Sequence, residues 1–217
     1  MIVKYFDLKK NLKNNINFYL LYGQNGGLIE DTINNIFKPN VSKNIYHYEE
    51  NEILSNVDEF KERIFNKSFF ENDKLIIINR ASDKILNLIE DIISKKIVDL
   101  KIIIKSGILE KRSKLRSFFE KNEATIIVPY YEDNFQTLIS LAQEFFREKK
   151  IKISTQNINI IIERSKGNRI NLKNELEKIS NYSQKKLSVD TNEILKLTNL
   201  AENYNVSELA DNCLASN

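Results

Sequence analysis

The residues whose types and spacing come closest to chemistry lie in FYLLYGQNGGLIED, residues 18–31. An apolar run, Phe18 to Tyr22, leads into Gly23, Gly26 and Gly27 and then into helix-forming residues. Strand, glycine loop and helix is the layout of a phosphate-binding loop, where backbone N–H groups and a helix N-terminus face an anion. The chemistry of that loop is absent. Counted from Gly23, the pattern G-x-x-x-x-G-K-[ST] needs a second glycine, a lysine and a hydroxyl; the chain has Leu28, Ile29 and Glu30. An isoleucine cannot pair with phosphate, and a carboxylate repels it. The sequence predicts the frame of a nucleotide-binding domain without nucleotide use.

Other reactive sets are equally incomplete. A magnesium-dependent ATPase needs an acid after a buried apolar strand, whereas Leu75, Ile76, Ile77 and Ile78 run into Asn79 and Arg80. Without lysine, metal ligand and acid, a phosphoryl-transfer site lacks its charge stabilisation. That disfavours an active AAA+ ATPase. His47 and Cys213 are each the only residue of their type, so no zinc pattern can be assembled. His47 reads as a half-exposed strand residue and Cys213 as a small core residue. Glu49, Glu50 and Glu52 could ligate a cation, but a solvated loop is the plainer reading. No metal and no cofactor is expected.

Two stretches suit binding. Lys111, Arg112, Lys114 and Arg116 open a predicted helix and are a candidate DNA contact. In a chain rich in lysine throughout, a solvated face is the competing explanation. In NKSFFENDK, residues 66–74, Phe69 and Phe70 stand side by side in a polar turn between a helix and a strand. Adjacent side chains cannot share one helix face, so at least one is expected at the surface, as anchors of protein interfaces are. The alternative is a lid over the core.

The elements that must position these residues follow from hydrophobic periodicity. Strands are predicted at residues 18–22, 44–49, 75–78, 102–104 and 124–128, the last closed by Pro129, with a further short candidate at Ile2, Val3 and Tyr5. Helices are predicted at 28–37, from Asn56 onward with Val57, Phe60 and Ile64 on one face, at 83–95 and at 111–121. Alternating strands and helices imply an α/β domain with a parallel sheet and helices on both faces. After Pro129 the pattern becomes helical, at 134–149, 155–165, 172–183, 191–197 and 206–214. A boundary near 131–134 separates an AAA+-like α/β domain, 1–132, from a small helical lid, 133–200. The final helix runs into the C-terminal residue, as in a chain cut inside a longer protein.

Composition sets the outer bounds. The chain has 217 residues, 41% hydrophobic and 29% charged, with a formal net charge of +3. A single cysteine excludes an internal disulfide and fits a reducing compartment. No apolar run approaches a membrane span, and MIVKYFDLKKNLKN lacks a signal-peptide layout. A cytoplasmic protein with no membrane partner is expected.

Taken in order, several stretches resemble the delta subunit of bacterial DNA polymerase III, the clamp-opening subunit of the clamp loader. FYLLYGQNGGLIEDTI is similar to the family's first strand, non-functional phosphate loop and helix. NKSFFENDKLIIINR is similar to its helix end, apolar pair and third strand, and IIIKSGILEKRSKLRSFFEKNEATIIVPYYED to its fourth and fifth strands. GNRINLKNELEKISNYS resembles the lid helix and YNVSELADNCLA the start of the collar domain, here residues 201–217. The resemblance implies a non-catalytic subunit of a polymerase holoenzyme that neither binds nor hydrolyses ATP. It implies that Phe69 and Phe70, with Ser68 beside them, insert into a pocket on the sliding clamp (the beta subunit). The family more often has a Leu-Phe pair, so Phe69 is a mild departure. Partners implied are the clamp, the other loader subunits through a collar domain largely missing here, and DNA indirectly. Arg169 lies where AAA+ lids carry a phosphate-sensing arginine; without a nucleotide loop it reads as structural. The readings from other classes are a nucleic-acid-binding module built on Lys111 to Arg116 and the disfavoured ATPase.

Overall fold

The computed structural model describes residues 1–12, 16–40, 44–65, 74–95, 97, 100–183 and 188–198. These fall into two compact units, Met1–Glu132 and Asp133–Asn217.

In chain order, the first unit begins with a 3-10 turn, Tyr5–Asp7, and the short helix α1, Leu8–Asn11. Strand β1, Phe18–Gly23, leads to α2, Gly26–Thr32, which continues as a π-helical turn, Ile33–Phe37. Then come β2, Ile45–Glu49; α3, Glu50–Ser55; α4, Val57–Phe65; and β3, Lys74–Asn79. A 3-10 turn, Asp83–Ile85, opens α5, Leu86–Ser94, followed by β4, Leu100–Ser106; α6, Lys114–Lys121; and β5, Thr125–Tyr130.

The five strands form one sheet in the order β2-β3-β4-β1-β5, with every neighbouring pair parallel. Side chains alternate across a strand, and in β1 the alternation sorts residues into two cores. Phe18, Leu20 and Tyr22 join Ile76, Ile78, Ile102 and Ile104 on one face, under Phe60, Ile64, Ile89, Ile92, Leu115 and Phe119 from α4 to α6. Tyr19 and Leu21 join Leu75, Ile77, Ile103 and Val128 on the other, under Ile29, Ile33 and Phe37. Burial on both faces is why these strands read as unbroken apolar runs.

The structure departs from the sequence reading at the element ends. The short strand candidate at Ile2, Val3 and Tyr5 reduces to one bridge, Ile2 to Ile127, beside edge strand β5. Helix α2 starts at Gly26 because Asn25 caps it, its side chain accepting from the Leu28 N–H at 3.0 Å. Helix α6 starts at Lys114 behind an Ser113 N-cap, so Lys111 and Arg112 precede it. Strand β5 continues through Pro129, which an edge strand tolerates. Glu49, Glu50 and Glu52 do not lie in a solvated loop. Glu49 ends β2 and caps α3, Glu50 and Glu52 lie in its first turn, and Glu49 and Glu52 form a reciprocal capping box. Buried Glu50 accepts from the backbone N–H and the hydroxyl of Ser82 at 2.7 and 2.9 Å. Among the described residues no group of three or more metal-ligating side chains converges.

The second unit is helical. Helix α7, Phe135–Glu148, is capped by Asn134, and α8, Thr155–Arg164, by Ser154. Helix α9, Arg169–Tyr182, starts three residues before its predicted start behind an Asn168 cap, and α10, Thr191–Leu197, is capped by Asp190. Leu138, Ala142 and Phe146 pack with Ile158, Ile161, Ile162, Leu172, Leu176, Ile179 and Ile194 into its core. Among the described residues, no helix is long and apolar enough to cross a membrane.

Candidate functional site

The C-terminal ends of β1, β4 and β5 meet where a parallel α/β sheet conventionally holds its ligand, beside the strand at which the order reverses. Gly23 turns the chain there with φ +138°, and a Cβ on it would lie 2.0 Å from the Tyr130 carbonyl oxygen. Only glycine fits. The loop that follows spends its donors on its own fold. The N–H of Gly23 donates to Gly107 O at 3.0 Å, that of Gln24 to Tyr130 O at 3.1 Å and that of Gly26 to Gln24 O at 3.0 Å. Buried Asn25 completes the closure. Its Oδ1 takes the Leu28 N–H and its Nδ2 donates to Tyr131 O at 3.1 Å. A side-chain oxygen therefore caps the helix N-terminus, the end that in a phosphate-binding loop faces the anion.

Glu30, at the place of the metal-ligating hydroxyl, forms an ion pair with Lys105 of β4. After β3, the Asn79 side chain donates to Tyr48 O at 3.3 Å and Arg80, with φ +54°, pairs with Glu49 at 2.8 Å. Each position where an ATPase would put a charged or metal-binding group is engaged in tertiary structure instead.

The basic cluster divides. Arg116 pairs with Glu120 at 2.8 Å, donates to Leu109 O at 3.0 Å and lies 5.3 Å over the Tyr22 ring. The Glu120 hydrogen bond is the main reason its proton is held more tightly than usual. Lys111, Arg112 and Lys114 are exposed, with Arg112 paired to Glu110 at 2.7 Å. The α6 N-terminus is already occupied. Asp83 accepts from Ser113 Oγ at 2.6 Å and from the N–H groups of Leu115 and Lys114 at 2.9 and 3.1 Å. These bonds, Ser113's first, hold its carboxyl below the usual range.

Arg169 is buried at the start of α9 and grips Asp133 with two bonds, Nε to Oδ2 at 2.7 Å and a second guanidinium nitrogen to Oδ1 at 2.8 Å. His47 is exposed on β2; burial against the sheet, with Lys38 and Lys105 nearby, lowers its pKa. Ser68, Phe69, Phe70 and Cys213 lie outside the described residues.

Sequence reasoning missed Asn25, Lys105, Asp83 and Asp133. Only the cap propensity of Asn25 was a local signal; the rest act across 30 residues or more.

The family model for the DNA polymerase III delta subunit matches residues 19–129, just over half of the chain. The chain belongs to that family. The match runs from β1 to β5, through the closed loop and the residues between α4 and β3. No curated protein matches it by sequence. Among solved structures, the clamp loader delta protein of Bacillus subtilis (YqeN) is similar with TM-score 0.56 and 16% identity, over 95% of this chain and 65% of that one. The chain thus spans somewhat under two thirds of that protein. The Thermotoga maritima RuvB Holliday junction branch migration motor gives 0.57 and 17%, over 89% of this chain and 64% of that one. Domain III of the Thermotoga maritima replication initiation protein DnaA gives 0.51 and 15%, over 89% and 87%. At such identities the likeness establishes the fold, the AAA+-like sheet expected from sequence.

Proposed function

We propose that this chain serves DNA replication as the clamp-binding subunit of a clamp loader, acting mechanically rather than chemically. Membership of the delta-subunit family carries the reading. The closed loop at Asn25 and the Glu30–Lys105 pair support a subunit that works without its own nucleotide. Phe69 and Phe70, with Ser68, are proposed as the wedge that enters an apolar pocket on the sliding clamp. Aromatic anchors of this kind carry much of the energy of a protein interface. Residues 1–132 are assigned as the AAA+-like domain, 133–200 as the lid and 201–217 as the start of a collar. The collar would join the other loader subunits, and DNA would be met within that assembly, in the cytoplasm.

A wedge opens a ring only by binding the open form better than the closed one. The chain is expected to bind a clamp made monomeric by interface mutation more tightly than the intact ring, compared by surface plasmon resonance. Equal affinity for both would refute clamp opening while leaving clamp binding intact.

A further inference from the structure

We propose that Glu50 is a positioning residue for the clamp-binding arm, helices α3 and α4, and that it acts by fastening the start of that arm to the exit of β3. The inference rests on the clamp-binding reading above. Glu50 is 5% exposed. Both carboxylate oxygens accept from Ser82, Oε1 from the backbone N–H at 2.7 Å and Oε2 from the hydroxyl at 2.9 Å. The ladder between β2 and β3 ends at Glu49 and Asn79, so this is the next link beyond it. Among the described residues no cation pairs with Glu50. A carboxylate buried against neutral donors alone is a costly way to fill space, and an apolar side chain would fill it at less cost. What the carboxylate supplies is a fixed direction between two elements that no ladder joins.

Other bonds converge on the same junction. The Asn79 side chain donates to Tyr48 O at 3.3 Å, and exposed Arg80 pairs with Glu49 at 2.8 Å. Arg80 holds φ +54°, a left-handed backbone that a non-glycine residue keeps only where its surroundings enforce it. The Ser82 hydroxyl also caps the 3-10 turn after β3, accepting from the Lys84 N–H at 3.3 Å. Asp83, the next residue, caps α6. Residues 79–83 thus tie α3 to β3 and β3 to α6. The arm needs such an anchor. Helix α3 has six residues, and Ile53 is its only buried apolar side chain. Helix α4 packs through Phe60 and Ile64, with the Tyr48 ring edge-on to Phe60 at 5.0 Å. In sequence, Phe69 and Phe70 follow Phe65, the last residue of α4, by four and five positions. An anchored arm transmits force to a ring, whereas a loosened one follows the shape of the closed ring. Glu50 therefore matters more for telling open clamp from closed than for touching it.

The test reads the tie and the clamp separately. Hydrogen exchange of the 217-residue chain is measured by mass spectrometry for wild type, Glu50→Gln, Glu50→Ala and Ser82→Ala. Glutamine keeps an acceptor for the Ser82 N–H and should match wild type. Glu50→Ala should speed exchange in residues 50–65 about tenfold while β1 and β5 keep their protection. Ser82→Ala, which spares the backbone N–H, should show a smaller effect in the same residues. Each protein is then titrated against the intact clamp ring and against clamp made monomeric by interface mutation. The wild-type preference for the monomer should survive in Glu50→Gln and fall about fivefold or more in Glu50→Ala. Exchange that is unchanged in the arm or faster everywhere, or a preference that Glu50→Ala leaves intact, would overturn the proposal. If Glu50→Ala does not fold, Ser82→Ala decides, and its matching wild type in both measurements would overturn the proposal equally. A wild type that binds neither form of the clamp refutes the clamp-binding reading and this role with it, while the exchange data still show whether Glu50 holds the arm.

Discussion

Asn25 and Gly23 decide what the loop after β1 can be. Asn25 caps the helix N-terminus with its own side chain, and Gly23 lets the loop approach Tyr130 closely enough for the bonds to form. Gly23→Ala is expected to lower stability by about 3 kcal/mol, since both φ and space are wrong for a side chain. Urea unfolding measures this. Asn25→Ala loses a cap and a tether to Tyr131, and should cost about 1–2 kcal/mol in the same assay without creating ATP affinity. The lost lysine and hydroxyl were legible from Ile29 and Glu30. That Asn25 ties the loop to Tyr131 was not, because the two lie 106 residues apart in sequence.

Two elements are held by tertiary caps that no local pattern announces. The α6 N-terminus rests on Asp83, 30 residues earlier. A carboxyl whose pKa is depressed on folding adds stability above its unfolded value and loses it as pH falls through the folded one. The difference in urea midpoint between wild type and Asp83→Ala should therefore be full at neutral pH and shrink below about pH 4. A difference independent of pH would show that the carboxylate charge is not what caps the helix. In the second unit, Arg169 and Asp133 join the start of α9 to the residues before α7. Asp133→Ala takes two charge-assisted bonds from the buried Arg169 guanidinium and should cost about 3 kcal/mol or more, whereas a double change to apolar residues should cost much less. Strands β1, β3, β4 and β5 were legible because each is buried on both faces, and edge strand β2 from its alternation and aromatic residues. Helix starts were misplaced at α2, α6 and α9, where a cap residue rather than apolar periodicity fixes the boundary. Helix α3 was missed altogether because three acids among four residues resemble a loop until Glu49 and Glu52 are seen to cap one another.

At the scale of the molecule, an AAA+-like sheet has kept its topology while its nucleotide positions serve packing. A nucleotide that binds only the folded state raises its stability in proportion to occupancy. Millimolar MgATP is accordingly expected to move the thermal midpoint by less than about 1 °C. A shift of several degrees would mean that the loop opens to accept a nucleotide. The α/β fold and the change to helices near residue 131 were legible from the pattern alone, because buried parallel strands and amphipathic helices have different periods. The proposed wedge rests on resemblance and on the oddity of two phenylalanines in a polar turn. The measurement that bears on it most directly is equilibrium binding to the cognate sliding clamp, wild type beside Phe69→Ala/Phe70→Ala, with circular dichroism on both. Wild type should bind, and the folded double variant should lose about 2 kcal/mol or more per ring removed. A wild type that ignores the clamp, or a double variant that binds equally well or unfolds, would contradict the account.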